Sequence, residues 1–290
     1  MCNETTFGSH RIEVLLLLYR SIFIQTIIYN SQAWSHITSD DLDDLRTAQL
    51  RCLKRILWTA SSTPNSHVFL EMGVLPIEFE IQIRQCMFLY HILTLPIDHP
   101  IHRIYHQQLC YPAEENWANN MNKIRDDYNF PVNKSIGEMS RTAWKTLVTK
   151  AVTKRAKEVL MKKCYSLSKT KFLKYKDGLE TQEYLLKYPF NIATNIFKLR
   201  GRSTNCLANR GRKEACRLCK NGVETQNHAV NCPSVLSEKE PIRVAELYGD
   251  VRPNDERVKE IVERYLLFES ALKCKHDVAG SEPNVQNKQQ

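Results

Sequence analysis

Apolar positions along this chain recur mostly at helical spacing. Residues 11–33 are apolar nearly all round, which predicts a core helix ending at Asn30 and Ser31. Thr38 or Ser39 then stands where a helix cap belongs, with Asp40, Asp41, Asp43 and Asp44 in the first turns. Arg51, Lys54 and Arg55 fall near the end, the order that complements a helix dipole. Leu42, Leu45, Ala48, Cys52, Ile56 and Leu57 give that helix its apolar face. A loop at 61–66 leads to a short helix over 67–73, closed by Gly73 with Pro76 beyond. A long helix over 77–95 carries Ile77, Ile81, Phe88 and Ile92 on one stripe until Leu95-Pro96 stops it.

Residues 110–135 are polar, with Pro112 and Pro131, and read as an irregular linker. A helix resumes over 137–165, with Trp144, Leu147, Val148, Ala151, Val152 and Val159 on one face and Lys150 and Lys157 on the other. Two short helices, 179–187 and 190–200, are split by Pro189. A basic loop over 200–215, a helix over 254–274 and a polar tail from His276 complete the chain. The expected fold class is mainly α: a helical bundle, then a basic helical region, then a small zinc-binding module. The expected divisions are a helical region at 11–109, the linker at 110–135, a basic helical region at 136–203 and the zinc module at 204–236. A C-terminal helix at 250–275 and a disordered tail at 276–290 follow.

Charge sharpens this division. The net charge is +9, yet residues 134–220 hold 22 basic against 6 acidic side chains, while both flanks are net acidic. A concentrated basic block is the footprint of a polyanion binder. Nine glycines, with neither a GxGxxG nor a GxxxxGK[ST] pattern, argue against a glycine-rich phosphate loop. Arg20 and Gln25 interrupt the apolar stretch at 12–29, and an arginine at a bilayer centre costs about 3 kcal/mol. Ser31-Gln32-Ala33 resembles a signal-cleavage site only faintly, so a buried helix, an intracellular protein and no membrane contact are expected. Cys2, Cys52, Cys86, Cys110, Cys164 and Cys274 are scattered and read as reduced core cysteines, and Cys206 is close enough to the motif to be a spare metal ligand.

The chemistry concentrates in CRLCKNGVETQNHAVNC, a C-x2-C-x8-H-x3-C motif offering Cys216, Cys219, His228 and Cys232. Zn2+ takes about four thiolate or imidazole ligands in a tetrahedron, and a CxxC turn supplies two of them. Asn221-Gly222 turns the chain back, and one helical turn can bring His228 and Cys232 to the same point. Arg217, Lys220 and Lys213 are placed to lower the thiolate pKa values. Four protein ligands leave no vacancy for water, so the expected site is structural and the chain not an enzyme. His102-x3-His106-x3-Cys110 has metal-competent spacing but no fourth ligand, and reads as an exposed helix. Lys169, Lys171, Lys174 and Lys176 interleave with Phe172 and Tyr175, a pattern open to phosphate contact with base stacking or to plain core packing.

In order, LLLLYRSIFIQTIIYNSQAW (15–34), LDDLRTAQLRCLKRILW (42–58), FLEMGVLPIEFEIQIRQCMFLYHIL (69–93), NIATNIFKLRGRS (191–203) and CRLCKNGVETQNHAVNCP (216–233) resemble the C-terminal part of non-LTR (LINE-type) retrotransposon reverse transcriptases. The resemblance implies a thumb-like region at 11–109, and Cys216, Cys219, His228 and Cys232 as metal ligands beside nucleic acid. The polymerase pattern of an aromatic residue before Asp-Asp is absent: Asp40-Asp41 and Asp126-Asp127 lack the aromatic, and PNDERVKE (253–260) is a poor nuclease match. The expectation is a non-catalytic, zinc-containing fragment that binds RNA or DNA, single-stranded and with low sequence specificity. Its contacts would be Lys169, Lys171, Lys174, Lys176, Arg200, Arg202, Arg210, Arg212, Lys213, Arg217 and Lys220. The alternatives are a zinc-scaffolded module docking a protein on the N-terminal helices, or an element remnant without selected function.

Overall fold

The computed structural model describes residues 11–111, 116–236, 240–249 and 254–279. The protein is mainly α, with a Cys3His cluster toward its C-terminal end. Among the described residues there is no strand, only an isolated antiparallel bridge between Ala215 and Val223. The N-terminal helix starts as α1 (Arg11–Leu18), widens into a π-turn at Tyr19–Phe23 and closes as α2 (Ile24–Ile27). Its last helical residue is Ile27, and Asn30, in the left-handed region (φ 57°), marks the end where the sequence places it, ahead of a 3-10 turn at Ser31–Ala33. It is not the all-round core helix that its composition predicts. Ile12, Leu16, Tyr19 and Ile24 are buried, but Leu17, Leu18 and Ile22 face outward, as does Tyr29 beyond them.

α3 (Ser39–Ile56) begins with a capping box: the Asp41 backbone N–H donates to Thr38 Oγ1 at 3.1 Å, and the Thr38 N–H donates to Asp41 Oδ2 at 3.3 Å. The acidic run therefore serves the helix end, as the dipole argument requires. α4 (Asn65–Met72) closes on Gly73 at φ 59°, where a Cβ would also collide with the backbone of Glu180 and Thr181. Glycine is required there twice over. α5 (Ile77–Thr94) and α6 (Pro100–Cys110) follow as predicted.

The expected linker is a correction. Most of it folds as α7 (Trp117–Asp127) and α8 (Asn133–Glu138), and Asn116 caps α7 by accepting from the Asn119 N–H at 2.7 Å. Trp117, Ala118, Met121, Ile124 and Ile136 are buried. α9 (Arg141–Ser166) is the long basic helix, and α10 (Glu183–Lys187) and α11 (Phe190–Arg200) flank Pro189. α12 (Gln226–Ala229) is one turn inside the cysteine–histidine motif. α13 (Asp255–Ala279) runs past His276, where a disordered tail was expected; residues 280–290 lie outside the described residues.

Two apolar cores organise these elements. One is drawn from a single stretch, Phe79 to Ala156. The other joins Ile12–Ile81 to Leu160–Leu272 and includes Cys216, Ala229, Val230 and Cys232. The cores thus cut across the divisions expected from sequence. α9 serves both. Its buried residues are Trp144, Val148, Val152, Ala156, Leu160 and Cys164, a strict four-residue spacing. In a helix of 3.6 residues per turn such a row drifts by about 40° per step, about 200° in all. Its first four members therefore face the nested core, and Leu160 and Cys164 face the other.

Between α4, α10 and α11 lies a buried polar network. Glu71 is fully buried and accepts from Arg200 Nη2 at 2.9 Å, Arg200 Nε at 3.0 Å and the Tyr184 hydroxyl at 2.5 Å. Arg200 Nη1 also donates to the Leu247 carbonyl. His67 lies stacked on Phe197 with ring centroids 4.4 Å apart. Its Nε2 donates to the Phe197 carbonyl at 3.2 Å, which leaves Nδ1 to accept from the Tyr175 hydroxyl at 2.9 Å. Burial lowers the His67 pKa to about 4, so the ring is neutral.

Candidate metal centre and basic surface

The four predicted ligands converge. Cys216 and Cys219 sit on a knuckle whose return is fixed by the Cys216 N–H donating to the Gly222 carbonyl at 2.9 Å, and the Glu224 N–H to the Glu214 carbonyl at 3.1 Å. Gly222 adopts φ 69° there. Thr225 caps α12 by accepting from the His228 N–H at 3.1 Å, which aims the imidazole back at the knuckle. Cys232 arrives just beyond α12.

The donor atoms all lie within 4.8 Å of one another. Cys216 Sγ and Cys232 Sγ are 3.9 Å apart, and Cys219 Sγ and His228 Nε2 are 3.2 Å apart. A tetrahedral zinc site requires sulfur–sulfur separations of about 3.8 Å and sulfur–nitrogen separations of about 3.6 Å, from its bond lengths. The four groups could therefore hold a metal ion. Cys216 and Cys232 are fully buried, while Cys219 and His228 are half-buried, so any ion would lie at the edge of the core.

The electrostatics suit a cation. Burial, followed by the charge of Cys216, pushes the Cys232 thiol up to about 12, against the Ser234 N–H that lowers it. At Cys219 burial also acts upward, but the Asn221 N–H and hydrogen bonds from Cys216 and Cys232 outweigh it, leaving the thiol below its ordinary range. Asn221 N lies 3.3 Å from Cys219 Sγ. Three sulfurs this close repel one another as thiolates unless a positive ion lies between them.

Sequence reasoning missed the support around the knuckle. Glu224 is fully buried, and accepts from the N–H of Leu207 at 3.1 Å, the N–H of Arg217 at 3.0 Å and Arg217 Nη2 at 2.6 Å. Burial raises its pKa, but the Arg217 side chain and both N–H groups outweigh that and hold it below the usual carboxylate range. Its signal was available, since Glu224 is the one acidic residue inside the motif. Further clamps come from outside: Gln226 Nε2 donates to the Leu199 carbonyl at 3.1 Å, and the Val244 N–H to Asn227 Oδ1 at 2.9 Å. Lys275 Nζ, on α13, donates to the Leu218 carbonyl at 3.1 Å. The module is therefore built into the larger core rather than appended to it.

The predicted basic contacts divide. Arg200 is a correction: it is buried and fully engaged by Glu71, so no phosphate can reach it. Arg217 is another, because Glu224 and the Asn205 carbonyl occupy its guanidinium. Lys171, Lys174, Lys176, Arg210, Arg212, Lys213 and Lys220 are exposed; Lys169 and Arg202 are half-buried. The aromatics between the lysines split too. Tyr175 is buried in the polar network, whereas Phe172 is 55% exposed, with Lys171 Nζ 4.8 Å and the Arg202 guanidinium 5.5 Å from its ring centroid.

Cys206 is buried, its thiol pushed up to about 11 by that burial, and stands outside the ligand set rather than serving as a spare. His102 is buried and His106 exposed, their rings 4.6 Å apart, and with Cys110 they form no metal-ready group. Of the cysteines expected in the core, Cys86 and Cys164 are buried and Cys52 is half-buried, but Cys110 and Cys274 are exposed near the ends of α6 and α13; Cys2 lies outside the described residues. No helix among the described residues is long and apolar enough to cross a membrane. No family model, no curated protein and no solved structure matches this chain.

Proposed function

We propose that this protein is a non-catalytic nucleic-acid binder whose Cys216, Cys219, His228 and Cys232 hold one structural zinc ion. The observation that carries the reading is the convergence of three thiols and one imidazole, at zinc-like separations, beside an exposed basic rim of Arg210, Arg212, Lys213 and Lys220. The donor set fits zinc, which would supply cross-linking and charge neutralisation rather than a reacting centre. Exposed Phe172, with Lys171 and Arg202 over its ring, joins an aromatic side chain to two cations, a combination that supports single strands of RNA or DNA as the ligand. The retroelement resemblance agrees with this reading and supplies an origin for it, as a reverse-transcriptase fragment.

The test is twofold. Metal analysis of the purified protein should give one zinc per chain, and a labelled oligonucleotide should bind with an affinity that falls steeply with salt. A folded preparation without zinc, or binding indifferent to salt, refutes the corresponding half. The outward Leu17, Leu18, Ile22 and Tyr29 favour a second reading, in which the zinc module scaffolds a protein-docking surface on the N-terminal helix. Affinity for a protein partner that persists at high salt would favour it.

A further inference from the structure

Eight of the 26 residues of α9 are basic and only Glu158 is acidic, yet the metal centre uses none of them. The four-residue burial period sets how they are displayed. Beside the buried row Trp144–Val148–Val152–Ala156 runs a row of Lys145, Thr149, Thr153 and Lys157. Beside that runs a second, of Thr146, Lys150, Lys154 and Glu158. Together these rows line an open trough of about 1050 Å3, closed at one end by Asp177, Gly178 and Leu179.

The charges along the trough are not equivalent. Lys157 donates to the Lys176 carbonyl and lies 3.6 Å from Asp177, so it fastens the closed end. Glu158 pairs with Arg155 at 4.0 Å. Lys145, Lys150 and Lys154 are exposed, and none of them is held in an ion pair among the described residues. At 1.5 Å per residue these three ammonium groups are set out over about 14 Å of helix. One strand of stacked nucleic acid carries a phosphate per 3.4 Å of axis, so that length faces about four phosphates. The threonine hydroxyls between them are short donors suited to phosphate oxygens.

Other ligands fit less well. A small-molecule site is commonly enclosed and about 300–1,000 Å3; this trough is open along its length. A protein interface needs aromatic or aliphatic anchors at its centre, and a helix lying on an anionic bilayer needs Trp, Phe or Leu to insert. Here the centre is threonine and lysine, whose methyl and methylene groups line the floor without an aromatic or aliphatic anchor, and Met161 and Leu179 stand at the closed end.

We infer that the α9 trough is a track for the sugar–phosphate backbone of a single-stranded nucleic acid. This rests on the nucleic-acid reading above and places the strand's electrostatic grip away from the zinc rim. The test is fluorescence anisotropy with a labelled oligothymidylate and an oligouridylate of about 20 nucleotides, over a salt series. Neutralising three phosphate contacts in Lys145→Gln/Lys150→Gln/Lys154→Gln should make the log–log salt slope shallower by about 2, and weaken binding about 100-fold near 0.1 M salt. A control, Arg51→Gln/Arg55→Gln/Arg103→Gln, removes the same charge from exposed positions elsewhere and should change affinity less than about threefold. Circular dichroism melts of both variants establish that they fold. If the trough variant loses no more than the control while the wild type binds, the track is elsewhere and this inference is overturned alone. If the wild type binds neither oligonucleotide at low salt, the nucleic-acid reading itself is overturned. Wild-type binding to phosphatidylserine vesicles in place of oligonucleotides overturns both in favour of a membrane surface.

Discussion

Glu71→Ala removes the carboxylate that compensates a guanidinium buried in the main core. Both side chains are nearly inaccessible, at 0% and 5% exposure, so neither charge can be returned to water without opening the fold. After truncation Arg200 keeps the Leu247 carbonyl and the face of the Tyr184 ring, and the Tyr184 hydroxyl loses its acceptor. Breaking a buried ion pair from one side costs about 3–5 kcal/mol. An orphaned hydroxyl adds about 1 kcal/mol. The expected loss of about 4–6 kcal/mol is a large part of the roughly 5–15 kcal/mol that holds a folded protein together. In a protein of this size each kcal/mol lowers Tm by about 2–4 °C, so a fall on the order of 10–20 °C is expected. Urea unfolding followed by tryptophan fluorescence measures the loss. The companion double variant Glu71→Leu/Arg200→Met replaces the pair with apolar side chains and should recover most of it. A Glu71→Ala protein within about 1 kcal/mol of wild type, or a double variant as damaged as the single one, would refute the account. Neither variant should change the salt slope of oligonucleotide binding, because Arg200 is not on the surface.

Removal of zinc by a chelator, or Cys219→Ser, should expose amides in α11 and α13 as well as the knuckle; exchange confined to residues 206–235 would show that the clamps through Gln226 and Lys275 are weak. His67, lowered from its ordinary value to about 4 by burial, stabilises the fold only while neutral: that contribution is complete above the unfolded pKa near 6.5 and is lost as pH falls through about 4. The unfolded state binds the extra proton in that window, so stability should fall by about 3 kcal/mol between pH 6.5 and 4, and a His67→Gln variant whose stability follows the same slope would contradict this. Glu224, held below the carboxylate range chiefly by Arg217 against burial, contributes stability above its unfolded pKa that is lost on further acidification, and Glu224→Gln should flatten the acid limb of a zinc-retention titration. Finally, no nucleotide should be incorporated on a primed template with magnesium or manganese, since no carboxylate pair follows an aromatic residue in the polymerase pattern; heat-sensitive incorporation by a clean preparation would overturn that expectation.

What was legible in the sequence was local. Thr38, Gly73 and Pro189 mark helix ends through their own backbone chemistry, and each mark coincides with an end in the structure. The candidate metal ligands lie within one short segment whose turn residues bring them together, so spacing sufficed to place them. What was not legible depended on distant partners. Arg200 and Arg202 are two residues apart and equally basic, yet one is buried because Glu71, 129 residues away in sequence, meets it. α7 was missed because WANNMNKIRDD is polar overall and its four buried residues are sparse; the Asn116 cap was the overlooked signal. At α1 the error ran the other way, because apolar content sets what can be buried and only the neighbouring elements decide what is.

The nesting of one core inside another has a consequence for the order in which the chain acquires structure. Phe79–Ala156 can condense as soon as α9 emerges during synthesis, since every partner it needs is already present. The core that holds Ile12 and Leu16 is instead completed only by residues as distant as Phe268 and Leu272, an interval of tens of seconds at about 5–20 residues per second, although α1 itself packs on α3 and α10. Until α10 is made, the N-terminal helix lacks part of the packing on its inner face, a span in which a chaperone can bind it. Pulse-labelled hydrogen exchange during refolding should find the amides of α5, α7 and the first half of α9 protected before those of α1 and α13, and simultaneous protection would show that the two cores form as one.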